Sequence, residues 1–269
     1  AAGEGRLRGW PSGESRVRLR ARASCSGLGP VRTLVVLVKS FDTASAIAQA
    51  SDAIGPQTLV LSLQNGLGNE QVLADAVGSD RVAAGRTWVG GQLLSPGTAF
   101  VGIEGKRTVV GELGGGPSDR LVRLAKHWTA AGLPVEVSES ITSVMWDKLL
   151  TNVATGALSA ITGLAYGDLY AVPELAEAGC AAVREAMAVA AAAGVPLLRD
   201  DPLAVWLQAG AGLGPTFRAS MLLSLDAGAR TEVDVVNGAV CRWGARLGVP
   251  TPVNDTLWAA VRGRERARR

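Results

Sequence analysis

The segment Thr33-Leu-Val-Val-Leu-Val38 decides the fold, because every residue after the threonine in this short run is apolar. Such a run is typical of a strand that is buried on both faces of a parallel sheet. A helical pattern follows over residues 44–54, a second buried strand is predicted at residues 58–63, and a second helix at residues 69–77. Strands that alternate with helices make β-α-β units, so we expect a parallel sheet with helices on its faces.

Two polar side chains stand where these strands end. Lys39 directly follows the first strand, and Gln64-Asn65-Gly66 follows the second. Ligands of open α/β sheets bind at the carboxyl ends of the strands, which makes Lys39 and Asn65 candidates for a binding site. The alternatives are a surface charge at a strand end for Lys39 and a turn-forming Asn-Gly pair for Asn65.

Shorter elements complete the first domain. They are strands at residues 82–91, 99–103 and 108–111, a helix over residues 118–131 and a strand at residues 135–137. The turn sequences between the first three strands favour an antiparallel edge added to the sheet. No strand pattern returns beyond residue 140, so we expect an α/β domain at residues 32–139 and an all-helical domain at residues 140–269.

A long apolar helix over residues 140–161 opens the second domain. Lys148, Asn152 and Gly156 are spaced four residues apart and therefore stack along one side of this helix. A Lys in so apolar a helix needs water, a partner or a task, because an unpaired buried charge is costly; the alternative is that it snorkels to the surface. Further helices are predicted to begin at Pro173, Asp201, Phe217, Thr231 and Thr251, and Thr231-Glu-Val-Asp234 has the form of a capping box.

Residues 1–31 differ from the rest of the chain. They are rich in Arg, Gly and Ser and show no apolar period, which favours a disordered or mis-started segment. Cys25-Ser-Gly27-Leu-Gly29 contains a Gly-x-Gly, but no strand is predicted before it and Pro30 follows it. We therefore do not expect this turn to be a phosphate-binding loop.

The formal net charge of +3 is concentrated at the ends of the sequence. Residues 1–30 hold six Arg and two Glu, residues 262–269 hold five Arg and one Glu, and the middle is therefore near −5. A nucleic-acid-binding protein carries a basic face within its folded part, so no nucleic-acid partner is expected. No apolar run is long enough to span a membrane, and no signal peptide is visible.

Cysteine and histidine are few. Three Cys without paired spacing predict reduced thiols in a cytoplasmic protein, and neither a disulfide framework nor a zinc site. The single His127 excludes a Ser-His-Asp triad and most His-based metal sites, and we interpret it as structural. No metal ion is expected.

Four segments together resemble the ketopantoate reductase (2-dehydropantoate 2-reductase) family. They are Val38-Lys39-Ser-Phe-Asp-Thr43, Gln64-Asn65-Gly66, Trp146-Asp-Lys148 with Asn152, and Ser220-Met221 followed by Arg230-Thr-Glu-Val-Asp234 and Asn237-Gly238. They occur in the order and spacing of that family. The resemblance implies a Rossmann-type NADP-binding domain at residues 32–139 and a helical substrate domain after it. It also implies reduction of 2-dehydropantoate by NADPH to (R)-pantoate, for pantothenate and coenzyme A synthesis.

The resemblance implies roles for six side chains. Lys148 corresponds to the general acid, which polarises the ketone and supplies the proton. Glu232 corresponds to a catalytic acid near the cofactor that binds the hydroxyl side of the substrate and helps to position Lys148. The substrate-binding residues correspond to Asn152, Ser220 and Asn65, and the cofactor side to Lys39, Asn65 and Glu232. Without the resemblance, Glu232 is a first-turn acid on a helix dipole and Ser220 an ordinary helix serine.

The sequence also departs from the pattern of that family. It contains no strand followed by Gly-x-Gly-x-x-Gly and a helix, so we expect the Rossmann-type sheet to be incomplete at its N-terminal side. Gly156 stands where many members have Asn, and Ser224 stands where an acid is common. Three hypotheses stay open: an NADPH-dependent ketopantoate reductase, a reductase of another branched 2-oxoacid, and a truncated product that binds no NADPH. The expected partner is a small 2-oxoacid, with homodimer formation left open.

Overall fold

The structure is a computed structural model that describes residues 2–9, 13–102 and 106–267. The chain forms two compact units. The first contains the described residues up to Val38, together with Asp42–Gln64 and Glu70–Ile141. The second contains Lys39–Phe41, Asn65–Asn69 and the described residues from Thr142 onward. Two short segments that follow strands are thus part of the helical unit. The predicted single boundary near residue 139 does not account for these two segments.

The first half of the chain contains the strands and the first three α-helices. The strands are β1 (Ala2–Arg8), β2 (Glu14–Arg20), β3 (Thr33–Val36), β4 (Leu59–Ser62), β5 (Val82–Thr87), β6 (Gly90–Ser95), β7 (Thr98–Gly102), β8 (Thr108–Glu112) and β9 (Val135–Val137). The helices are α1 (Thr43–Gln49), α2 (Asn69–Val77) and α3 (Asp119–Ala130). The main sheet has the strand order β3-β4-β5-β8-β9, and a second sheet has the order β2-β1-β7-β6.

The main sheet confirms the predicted α/β architecture. β3, β4 and β5 pair in parallel, and every residue of β4 is buried, as expected of a central strand covered on both faces. On one face, Ile47 of α1 and Leu73 of α2 belong to the same apolar cluster as Val60. On the other face, Leu121 of α3 clusters with Leu61. The apolar runs that predict the strands thus form the core between helices.

The predicted antiparallel edge is confirmed for β8 only. β8 pairs antiparallel with β5, but β5 itself pairs parallel with β4, and β6 and β7 form a hairpin in the second sheet. The prediction that all three segments form one edge is therefore wrong. β5 is buried along most of its length and is a central strand, whereas β6 is exposed throughout. Ile103, the last residue of the predicted strand at 99–103, lies outside the described residues.

The first residues of the chain form a hairpin, so the prediction of a disordered segment is wrong for its described part. β1 and β2 pair antiparallel with Arg6 opposite Arg16, and β1 pairs parallel with β7. The signal is the alternation Arg16-Val-Arg-Leu-Arg20, which has the period of a strand but is hidden by the overall content of Arg and Gly. Residue 1 and residues 10–12 of the predicted segment lie outside the described residues.

The second unit is helical, and its described residues contain no strand. Its helices are α4 (Ile141–Thr162), α5 (Tyr166–Tyr170), α6 (Pro173–Ala192), α7 (Pro202–Gly210), α8 (Ser220–Asp226), α9 (Asn237–Leu247) and α10 (Pro252–Ala267). α4 is the core helix, since Leu150, Val153 and Ala154 are fully buried. The sequence pattern does not predict α5, because five residues are too few to show a helical period. No helix in the described part of the chain is long and apolar enough to cross a membrane.

The segment at Thr231 does not form the predicted capping box. Val233–Val235 is a turn of 3-10 helix, and α9 begins only at Asn237. The Thr231 N–H donates to Glu265 Oε1 at 2.7 Å, and the Asp234 carboxylate accepts its hydrogen bonds from other side chains. Tertiary partners from α10 therefore replace the local cap that the sequence motif predicts.

Candidate functional site

The helix α4 carries the stripe of Lys148, Asn152 and Gly156. Lys148 and Asn152 are half-buried and Gly156 is buried, so the stripe runs from the accessible side of the helix into the core. An ammonium group offers three donors, and a carboxamide offers both donors and an acceptor. Such a pair, one helical turn apart, is suited to bind the ketone, hydroxyl or carboxylate oxygens of a small molecule.

The two residues before Lys148 hold α4 in place. Trp146 is buried, and its ring meets that of Trp243 edge to face, with 6.3 Å between the centroids. Asp147 pairs with Arg199 at 2.9 Å between Oδ1 and Nη1, and only 8% of the Asp147 side chain is exposed. Trp146 and Asp147 therefore fix the orientation of the helix, and Lys148 is the member of this motif whose position is suited to chemistry.

Glu232 is the centre of a second group of polar contacts. Its Oε2 lies 3.2 Å from Lys39 Nζ, and its Oε1 accepts a hydrogen bond from the backbone N–H of Ser40 at 3.0 Å. The Glu232 side chain is 10% exposed and that of Lys39 is 46% exposed. Each carboxylate oxygen can accept more than one hydrogen bond, so Glu232 keeps capacity for a ligand while it holds Lys39.

The segment that carries Glu232 is clamped by α10. Thr231 and Val233 are buried, and Thr231 donates both its N–H and its hydroxyl to Glu265 Oε1 at 2.7 Å. Asp234 accepts hydrogen bonds from Trp258 Nε1 at 2.8 Å and from Arg262 Nη1 at 2.9 Å. Glu232 is thus fixed from both sides along the chain.

The charges around Asp234 change its ionisation. Burial alone would raise the pKa of the Asp234 carboxyl, but hydrogen bonds from Arg230 and Trp258 and the positive charges of Arg262 and Arg230 together outweigh burial. The net effect is a pKa below the ordinary value for Asp, so the carboxylate stays ionised and the clamp stays intact at neutral pH.

Asn65 lies in a loop that docks on the same segment. Its carbonyl oxygen accepts a hydrogen bond from Asn69 Nδ2 at 2.9 Å, and the N–H of Leu67 donates to Val235 O at 2.9 Å. Gly66 has a φ of 80°, and a side chain there would overlap Val235. The glycine is therefore required both by its backbone conformation and by the close approach of Val235.

Ser220 is the exposed first residue of α8. The next residue, Met221, is buried, and a methyl group added at Gly156 would contact Met221 Sδ and Cε at 3.5 Å. The beginning of α8 therefore lies over the inner end of the stripe on α4, which brings the backbone of Ser220 to the same part of the unit.

All of the side chains that the sequence singles out for the site belong to the second unit. They are Lys39, Asn65, Lys148, Asn152, Ser220 and Glu232. Among them, Lys39 and Glu232 are in direct contact. The backbone groups of Ser40 and Val235 could not be predicted, because backbone donors and acceptors leave no signal in residue type. The guanidinium of Arg230 lies 4.8 Å from the ring centroid of Phe41, and no local pattern predicts this contact although both residues are in the motifs.

The Gly-x-Gly turn does not fit a phosphate. The N–H of Gly27 donates to Asp52 Oδ2 at 3.0 Å, so a carboxylate already occupies this donor and adds negative charge. A strand, β2, precedes the turn, contrary to the sequence-based expectation, but β3 and not a helix follows it. In the described ranges, no group of three His, Cys, Asp or Glu side chains is arranged to hold a metal ion.

Two models of one protein family match this chain. Residues 5–115 match "Ketopantoate reductase PanE/ApbA", and residues 140–265 match "Ketopantoate reductase PanE/ApbA C terminal". A 2-dehydropantoate 2-reductase of Halobacterium salinarum is 33% identical over 256 residues, which are 94% of this chain and 82% of the relative. The first match includes β2 and the part of β1 from Gly5 onward, so most of the hairpin lies within the region of similarity.

Solved structures share the fold. A PanE/ApbA family ketopantoate reductase from Ralstonia eutropha JMP134 has a TM-score of 0.84 at 33% identity, covering 95% of this chain and 83% of that one. A D-mandelate dehydrogenase, solved with NADH and anilino(oxo)acetate, has a TM-score of 0.84 at 22% identity, covering 94% and 83%. The second likeness concerns the fold alone.

Proposed function

The chain belongs to the ketopantoate reductase family of oxidoreductases, and from this premise we propose that it reduces 2-dehydropantoate to (R)-pantoate with NADPH. The observation that carries the proposal is that one compact unit contains Lys148, Asn152, Ser220 and Glu232 together with Lys39 and Asn65. Lys39 and Asn65 lie in segments that follow strands of the first unit. They are distant in sequence from the rest of the second unit, so sequence proximity does not explain why they belong to it.

Lys148 is the proton donor in this proposal. Reduction of a ketone leaves negative charge on its oxygen, and that oxygen must receive a proton. The Lys148 ammonium polarises the carbonyl before reduction and protonates its oxygen afterwards. The packing of Trp146 and the ion pair of Asp147 hold the helix that aims this ammonium.

Asn152 and Ser220 orient the substrate. Asn152 lies one helical turn from Lys148, so its carboxamide can bind the same small molecule. The Ser220 hydroxyl, at the exposed start of α8, donates to the substrate carboxylate. Glu232 accepts the substrate hydroxyl through the capacity that its contacts with Lys39 and Ser40 leave free.

The residues on the cofactor side fit the nicotinamide end of NADPH. The half-buried carboxamide of Asn65 offers a donor and an acceptor that match the amide of the nicotinamide ring. The partly exposed Lys39 ammonium, held by Glu232, supplies positive charge on the cofactor side. When bound, NADPH supplies the hydride for the reduction.

The proposal is tested by binding and by turnover. The purified chain is titrated with NADPH and with NADH by calorimetry, and oxidation of NADPH is followed with 2-dehydropantoate. We expect NADPH to bind more tightly than NADH. Lys148→Ala should lower kcat by about 100-fold or more, the range expected for loss of a general acid. Lys126→Ala, which removes an exposed lysine from α3, is the matched control and should leave kcat unchanged.

Two results would contradict the proposal. Normal turnover of Lys148→Ala would remove Lys148 from the proton transfer. Absence of NADPH binding to the wild-type chain would mean that the chain as it stands is not a reductase, as in the hypothesis of a product that binds no cofactor.

A cytoplasmic location and a homodimer are part of the same proposal. Cys180 and Cys241 are buried free thiols, which suits a reducing compartment. Leu203 and Leu207 lie one turn apart on α7 and are 51% and 59% exposed, so they offer an apolar strip to a second copy.

A further inference from the structure

The loop Lys39–Phe41 meets the segment that carries Glu232 at three consecutive residues. The Lys39 ammonium lies 3.2 Å from Glu232 Oε2, and the backbone N–H of Ser40 donates to Glu232 Oε1 at 3.0 Å. The third residue, Phe41, contacts Arg230, whose guanidinium carbon lies 4.8 Å from the centroid of the ring. A guanidinium within about 6 Å of a ring centroid makes a cation–π contact. The loop is therefore held by two neighbouring contacts of different chemistry.

The contacts of the segment alternate between the loop and α10. Arg230 and Glu232 contact the loop, whereas Thr231 between them is buried and donates to Glu265 of α10. Arg230 also donates from Nη2 to Asp234 Oδ2 at 2.8 Å, and α10 holds the same carboxylate. Arg230 thus connects the loop to the part of the segment that α10 clamps.

The exposure of this pair argues against a role that is mainly structural. The Arg230 side chain is 43% exposed, and Phe41 is 38% exposed. Exposed cation–π contacts and exposed ion pairs contribute little to stability, but they can fix the orientation of a loop. Without the contact at Phe41, the loop would be tied to the segment by Glu232 alone. The Glu232 carboxylate would then have to hold the loop and bind a ligand at the same time.

We propose that Arg230 is a positioning residue that acts through Glu232. Stacked on Phe41, its guanidinium holds the loop in the geometry in which the Glu232 carboxylate keeps an acceptor for the substrate hydroxyl. Arg230 itself touches neither the substrate nor the cofactor. This inference rests on the proposed reductase function, and it adds to that site a residue to which the sequence argument assigns no role.

The test is a double-mutant cycle on the turnover of 2-dehydropantoate. Arg230→Lys keeps a positive charge beside Asp234 but loses the planar group, and Phe41→Leu keeps an apolar side chain but loses the ring. Each variant should lower kcat/KM by about two- to fivefold, the factor expected for an exposed cation–π contact. The double variant should lose no more than either single one. Phe41→Tyr keeps the ring and should recover the loss seen in Phe41→Leu.

A second cycle distinguishes positioning from a structural role. When Arg230→Lys is added to Glu232→Gln, kcat/KM should not fall further, because the carboxylate through which Arg230 acts is already absent. If Arg230→Lys lowers kcat/KM by the same factor with and without the Glu232 carboxylate, the proposal is overturned. Additive losses in the variant that combines Arg230→Lys with Phe41→Leu would also overturn it.

Arg107→Lys is the matched control. Arg107 belongs to the first unit, lies 5.8 Å from the ring centroid of Trp88 and pairs with Glu136 at 3.0 Å. It therefore has the same two kinds of partner as Arg230, an aromatic ring and a carboxylate. Both Arg→Lys variants should change Tm by less than about 2 °C, but only Arg230→Lys should change kcat/KM.

Failure of this inference and failure of the reductase function give different results. If wild type reduces 2-dehydropantoate and both Arg230→Lys and Phe41→Leu keep full kcat/KM, the positioning role is overturned and the reductase function stands. If wild type does not reduce it, the reductase function fails. Hydrogen exchange of the Ser40 amide, followed by NMR, then tests the contact itself. Faster exchange in these two variants but not in Arg107→Lys supports it, and unchanged exchange overturns it.

Discussion

Glu232 makes an ion pair with one side chain and a hydrogen bond with one backbone group. The free energy expected of the ion pair indicates whether Glu232 serves stability or catalysis. Its ion pair with Lys39 spans 3.2 Å, and its other oxygen accepts the N–H of Ser40 at 3.0 Å. Because the Lys39 side chain is nearly half exposed, such an ion pair contributes only about 0–1 kcal/mol to stability. The contribution of Glu232 should therefore appear in catalysis rather than in the free energy of unfolding.

Glu232→Gln tests whether Glu232 contributes to catalysis or to the free energy of unfolding. Glutamine keeps the shape and an acceptor for Ser40 but loses the charge that holds Lys39. We expect kcat/KM to fall at least about tenfold and Tm to change by less than about 2 °C, as for a modest surface pair. The control is Glu136→Gln, which neutralises the exposed pair with Arg107 at 3.0 Å and should change neither quantity. An unchanged kcat/KM with a large drop in Tm would instead assign Glu232 to the fold.

At the scale of elements, the 3-10 turn at Val233–Val235 depends on α10 rather than on its own sequence. Asp234 lies at the centre of this dependence, with Trp258 and Arg262 of α10 as donors. Its pKa in the folded protein is below the ordinary value of 3.8. The folded state therefore favours the charged form, and this contribution to stability is present above the unfolded pKa and is lost as pH falls through the folded one.

Asp234→Asn should destabilise the protein by about 1–3 kcal/mol at pH 7, the range for hydrogen bonds to a charged group. The difference from wild type should shrink as pH falls below about 4, because protonated Asp234 then resembles the variant. Urea unfolding of both proteins at pH 7, 5 and 3 measures this difference in the free energy of unfolding. Asp75→Asn, which alters an exposed contact with Gln71 on α2, serves as control. A difference that is constant across this pH range would contradict the role of the Asp234 charge.

Elements with a long, regular apolar period are predicted well by the sequence. The helix predicted at residues 69–77 is observed at Asn69–Val77, and the central helix predicted at residues 140–161 is observed at Ile141–Thr162. The hairpin at β1 and β2 is missed, because its period-two pattern consists of arginines that composition alone associates with disorder. The turn at Val233–Val235 is missed, because partners on α10 override a local capping motif.

At the scale of the whole molecule, the candidate site could be predicted only through the family resemblance. Local patterns single out Lys39 and the stripe on α4, but no period or spacing relates Lys39 to Glu232, 193 residues later in the chain. That contact lies within the helical unit, which includes Lys39–Phe41. Tertiary assembly of this kind is a property of the complete fold and leaves no trace in a local sequence window.

The three thiols are distributed over both units and should differ in reactivity. Burial raises the pKa of Cys241 to about 12, assisted by the hydrogen bond and charge of Asp255, and burial also raises the pKa of Cys180. Cys25, after β2, is partly exposed. Since the thiolate is the reactive form, iodoacetamide at pH 8 should alkylate Cys25 first.

Peptide mass spectrometry of the native and the denatured protein measures the order of labelling. We expect Cys180 and Cys241 to react only after addition of denaturant. Rapid labelling of Cys241 in the native protein would contradict its burial in α9.

The membership of Lys39–Phe41 and Asn65–Asn69 in the helical unit has a consequence for synthesis on the ribosome. At about 5–20 residues per second, the interval between translation of Lys39 and of Glu232 is about 10–40 seconds. Translation reaches Ile141 about halfway through that interval, so the first unit is synthesised in full while these two loops wait for Glu232 and Val235. A chain whose synthesis stops before residue 232 would therefore carry these two loops without the partners that hold them.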